Sequence, residues 1–198
     1  MRYRLFIKGA ALALLVLGTV ADAFAGPATD QLKPEIDRVI AAIEDPALQA
    51  ESRTADRRQA VRAITARIFD WTAMSKRALG AHWEARTADE RAEFIPLFRE
   101  LLERALLGKI EQYGAETVAY VEESPDGDDT IVRTRVTLKP TWEVGVDYRM
   151  AWQGTRWMIS DVLVERTSLV RNFRSQFDSV IKRSSYEELV KKVRARLP

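Results

Sequence analysis

Few side chains in this sequence are equipped for covalent or acid–base chemistry. It holds one histidine, His82, and no cysteine, which argues against a zinc site of thiolate or imidazole ligands. A catalytic triad would have to recruit His82, yet no G-x-S-x-G elbow occurs. Nor is there a G-x-x-x-x-G-K-[ST] loop to cradle a nucleotide phosphate. Asp161 is the remaining candidate, because it interrupts the apolar run WMISDVLV. Burial there would raise its pKa and suit it to general acid or base work. A lone carboxylate without an evident partner is a weak catalytic signal; the reading preferred is an acceptor for a neighbouring strand or for an arginine such as Arg174. His82 reads as an ordinary polar residue of the Gly80–Arg86 link. No catalytic residue, metal site or cofactor is expected, and the chain is not expected to be an enzyme.

The first residues carry a different instruction. Arg2, Arg4 and Lys8 precede the apolar run GAALALLVLGTV, and Ala23-Phe24-Ala25 places small residues where a signal peptidase reads. The run is about a dozen residues long, against the ~20 that a spanning helix needs. Residues 1–25 are therefore expected to be a cleaved leader and 26–198 a single domain in the periplasm. Of 31 basic and 29 acidic residues, the leader takes Arg2, Arg4 and Lys8 on one side and Asp22 on the other, leaving 28 of each sign. A nucleic-acid binder would keep a basic surplus, so no nucleic-acid partner is expected. Export without cysteine leaves packing alone to hold the fold.

The remaining chain is long enough for a substantial core. Leu32, Ile36, Val39, Ile40 and Ile43 recur at helical spacing up to Pro46, and Val61, Ile64 and Ile68 mark a second helix. Asp70 can cap a short helix over 71–79, with Gly80 as its stop. Thr87 and Glu90 have capping-box spacing ahead of a long helix, which is expected to stop at Gly114. The period then falls to two. Val118 to Glu123, TIVRTRVTL, EVGVDYRMAW and Thr155 to Glu165 read as four strands of an antiparallel meander, with turns at SPDGDD and Gln153-Gly154. Helices from about Ser168 and from Ser185 close the chain. The fold class expected is α+β, a curved antiparallel sheet of about four strands covered by N-terminal and C-terminal helices.

In order along the chain, FDWTAMSKRALGAHW, TADERAEFIPLFRELLERALLGKIEQYG, VRTRV, VDYRM, WMISDVLVERTSLVRNFRSQF and SYEELVKKVR resemble the MlaC/toluene-tolerance family of periplasmic phospholipid-binding proteins. The resemblance covers about residues 55 to 197; Phe173 stands where many members carry tyrosine. It implies an NTF2-like core with extra helices and a deep apolar cavity for the two acyl chains of a phospholipid. It also implies lipid passage between an outer-membrane lipoprotein complex and an inner-membrane ABC transporter complex with its substrate-binding membrane component, a role in keeping the outer membrane asymmetric. The lining expected is Trp71, Met74, Leu79, Leu97, Leu101, Tyr148, Met150, Ile159, Val162, Leu169, Phe173 and Phe177, with the helix after Ser168 leaning over the sheet as a lid. Three other readings stay open: a carrier of hopanoids or another polycyclic lipid; an NTF2-like isomerase or dehydratase using Asp161 or His82; and a binding module with a filled core that docks acidic lipid or protein surfaces through Lys182, Arg183, Lys191, Lys192, Arg194 and Arg196.

Overall fold

A computed structural model describes residues 26–113, 115–138 and 142–197. The expected leader and the expected helix stop at Gly114 lie outside the described residues. Four helices come first: α1 (Pro27–Glu44), α2 (Thr54–Ile68), α3 (Trp71–Leu79) and α4 (Ala88–Tyr113). Five strands follow, β1 (Ala115–Asp126), β2 (Asp129–Leu138), β3 (Trp142–Trp152), β4 (Trp157–Val164) and β5 (Thr167–Ser168), and then α5 (Leu169–Arg183) and α6 (Tyr186–Arg194). The strands form one antiparallel sheet in sequence order. The α+β class is as expected, with one more strand.

Local chemistry sets the helix starts. Asp70 accepts the Ala73 N–H at 2.8 Å, and Thr87 and Glu90 exchange the two hydrogen bonds of a capping box, at 2.7 and 3.2 Å. Ser168 caps α5 through the Arg171 N–H, and Ser185 caps α6 through the Glu188 N–H. Gly80 ends α3 at φ +56, where Arg174 Nε would stand 2.6 Å from any Cβ. α1 has no cap of its own; Glu123 of β1 accepts its Thr29 N–H at 2.7 Å. On the other side, the Gln31 side-chain amide donates to the Trp157 carbonyl at 2.6 Å and accepts the Trp157 N–H at 2.9 Å. α1 is thus tied to β1 and to β4.

The passage from β4 into α5 takes two turn residues. Glu165 and Arg166 both have positive φ, 48° and 62°, the requirement of a tight hairpin turn that glycine or asparagine usually meets. Here the Glu165 side chain helps to hold the turn by accepting the Gly145 N–H at 2.6 Å. The turn brings Thr167 and Ser168 back onto β4 as the short fifth strand. Asp161 then fixes the helix start, accepting the Ser168 hydroxyl at 2.5 Å and the Val170 N–H at 3.2 Å.

α4, α5 and α6 share an aromatic core. Phe177 meets Phe94 edge-on at 5.7 Å between centroids, and Phe173 meets Phe98 at 5.6 Å. Phe94 and Phe98 are fully buried, and the Tyr186 hydroxyl donates to the Glu90 carbonyl at 3.0 Å.

Candidate ligand-binding cavity

The helix-covered face of the sheet is closely packed around Met150 and Ile159 and hollow further along. The hollow is a cavity of about 360 Å³, within the range of roughly 300–1,000 Å³ common for ligand sites. Its floor is a valine grid set by strand register. Val136 lies opposite Val144, Val146 opposite Val164, and Tyr148 opposite Val162, all facing inward. Ile36 and Val39 of α1, Ile68 of α2, and Ala105 and Leu106 of α4 form the walls. Phe69 and Trp71, stacked at 4.8 Å between centroids, complete them. Leu138 and Trp142 stand where β2 meets β3, and Trp142 is 63% exposed while still bordering the cavity. That combination places Trp142 at the mouth.

One polar cluster interrupts the apolar wall. Glu103, 7% exposed, accepts the Thr65 hydroxyl at 2.8 Å, Arg99 Nε at 2.8 Å and Arg62 Nε at 3.2 Å. Arg99 also lies 5.3 Å from the Trp71 ring centroid. A buried carboxylate so thoroughly partnered is a structural tie between α2 and α4 rather than a free base. The Tyr148 phenol is held above its ordinary pKa by burial first and by the negative charge of Asp147 second, so it remains neutral. The wall offers shape, apolar surface and few hydrogen-bonding groups.

Of the twelve residues expected to line a cavity, Trp71, Tyr148 and Val162 border this one. Met74, Leu79, Met150, Ile159, Leu101 and Phe177 are buried in the packed core, with Leu97, Leu169 and Phe173 half-buried against it. α5, expected as a lid, contributes no residue to the wall; its phenylalanines pack on Phe94 and Phe98 instead. The walls from α1 and α2, and the stretch of α4 from Glu103 to Leu106, were not anticipated. Their apolar spacing was visible as helix faces, but helical spacing does not distinguish filled interior from hollow. Neither candidate acid–base residue borders the cavity. His82 Nε2 pairs with Asp178 at 2.9 Å, and both Asp161 oxygens are engaged at the start of α5.

The architecture is that of an α+β protein whose antiparallel sheet and covering helices enclose an apolar, ligand-sized hollow. The chain belongs to the MlaC family: the family model described as MlaC protein matches residues 33–195. It is also similar to a phospholipid-binding protein from Ralstonia solanacearum, solved in complex with a phospholipid. That similarity has a TM-score of 0.77 and 26% sequence identity, and spans 86% of this chain and 97% of the other.

Proposed function

We propose that this protein is a periplasmic phospholipid carrier that holds acyl chains in the cavity between sheet and helices. One observation carries the reading: an apolar hollow of about 360 Å³ in a fold whose Ralstonia counterpart was solved with a phospholipid. Each methylene brought from hydrocarbon into water costs about 0.8 kcal/mol, so two long chains cost on the order of 20 kcal/mol. A protein wall of valine, isoleucine and aromatic rings replaces the bilayer around the chains and makes the exchange nearly neutral. Net flow must then be supplied by the complexes at either end, an outer-membrane lipoprotein complex and an inner-membrane ABC transporter complex. On this reading Trp71, Tyr148 and Val162 touch the chains directly. The nine other residues first expected at the site hold the packed half against which the hollow is shaped.

The test is lipid extraction from the exported, purified protein followed by mass spectrometry. The expected result is diacyl phospholipid bound to the folded chain. A polycyclic lipid in its place would reassign the ligand, and a folded protein that neither retains nor takes up lipid would overturn the proposal.

A further inference from the structure

We infer that Glu123 is the seat of the amino terminus created when the chain is cut between Ala25 and Gly26, an inference that rests on the export reading above. Glu123 reaches from β1 to the start of α1, where it accepts the Thr29 N–H at 2.7 Å, the Thr29 hydroxyl at 2.6 Å and the Ala28 N–H at 3.4 Å. Its carboxylate also lies against Gly26. A methyl group built on Gly26 would stand 2.3 Å from Oε1 and 2.7 Å from Oε2, far inside van der Waals contact. The backbone does not require glycine here, since φ is −119°, a value open to any residue. The carboxylate occupies the place a side chain would take, and any other residue at 26 would push it from its seat.

The three donors on Glu123 are all neutral, and no lysine or arginine pairs with it among the described residues. A half-buried anion with only neutral partners is well placed to receive a cation, although the amino end of α1 already favours its charge. Hydrolysis of the Ala25–Gly26 bond by a signal-peptidase-type protease supplies one. Water adds across the amide, Ala25 leaves as a carboxylic acid with residues 1–25, and the Gly26 nitrogen becomes an amine that is protonated at neutral pH. The ammonium forms beside Glu123. The helix that follows carries Ile36 and Val39 of the cavity wall.

The experiment uses full-length protein expressed with export and recovered from the cell envelope, in the parent and in Glu123→Gln. The glutamine keeps an oxygen for the two Thr29 donors, and it removes the charge and the second oxygen, which accepts the longer Ala28 N–H bond at 3.4 Å. Intact mass is expected to show a first residue of Gly26. The α-amino group of the parent, followed by reductive methylation across pH, is expected to titrate about one pH unit above its ordinary value of about 7.7–8.0. Glu123→Gln returns it to that value. The raised amine contributes stability fully below its unfolded pKa and loses it as pH rises through the folded one, so the melting deficit of the variant is expected to be larger at pH 6 than at pH 10, where only the loss of the carboxylate at the start of α1 remains. A first residue other than Gly26, or the same titration in parent and variant, overturns the inference and leaves the export reading standing. Recovery of uncut chain only would overturn both.

Discussion

The Glu103 carboxylate accepts a 2.8 Å hydrogen bond from the Thr65 hydroxyl on the wall of a cavity that is otherwise almost entirely apolar. The same carboxylate gathers Arg62 and Arg99, so α2 and α4 are joined by charge beside the hollow. Glu103→Ala removes the acceptor that the threonine and both arginines share, while Arg62 keeps Glu100 at 3.6 Å and Thr65 and Arg99 keep the Arg62 carbonyl, and is expected to lower unfolding stability by about 2 kcal/mol. Urea denaturation measures the loss. Glu103→Gln, which still accepts the Thr65 hydroxyl, is expected to lose less than half as much.

Hollow and packed halves should answer differently to substitution. Ala105 sits on the cavity wall, and Ala105→Trp is expected to plug the hollow, cutting co-purified lipid at least tenfold while the melting temperature stays within a few degrees. Phe177→Ala removes a ring that meets both Phe94 and Phe98; it is expected to cost about 3–5 kcal/mol and to leave lipid bound to whatever fraction remains folded. Equal lipid loss in the two proteins, both fully folded, would contradict the assignment of the cavity.

Asp147 lies opposite Arg133 on the sheet face turned away from the helices. Burial raises its pKa from the ordinary 3.8, against the pull of Arg133, the Thr134 N–H, Arg135 and Arg166. A carboxyl raised by folding binds its proton more tightly in the folded state, so it withdraws stability as pH climbs from below 3.8 through the raised value. Asp147→Asn removes that dependence. Its stability relative to the parent is expected to improve across the same rise, as read by melting temperatures from pH 3 to 7, and a flat difference would refute the sign.

The turn between β4 and β5 is strained at a known place. Arg166 holds φ at 62°, which costs a residue with a Cβ roughly 1–2 kcal/mol. Arg166→Gly is expected to recover about 0.5–1 kcal/mol after glycine's greater freedom in the unfolded chain is charged against it. Thermal unfolding reports the gain. Glu165 is the wrong target for the same change, since its side chain bonds the Gly145 N–H.

Much of the architecture could be read before any coordinates. The bounds expected for α3, 71–79, are those observed, because an aspartate cap and a terminal glycine act locally. The Thr87–Glu90 box and the Ser185 cap are legible for the same reason. β5 was not, since Glu165-Arg166 carries none of the glycine or asparagine that announces such a turn, and what holds it is a contact to Gly145, 20 positions away. The site was less visible than the fold. Val132 and Val136 share one face of β2, as Val146 and Met150 share one face of β3, and an alternating pattern says nothing of how far along a strand the packing stops. Where the phenylalanines of α4 and α5 gather, the interior is full; toward the β2–β3 end it is hollow, and that division depends on where separate helices come to rest.

α1 is moored to β1 through Glu123 and to β4 through Gln31, with the strands between them beneath it. Both moorings fall at the amino end of α1, at Thr29 and Gln31, like a gatepost set in two footings, and the length that carries Ile36 and Val39 to the hollow extends beyond them.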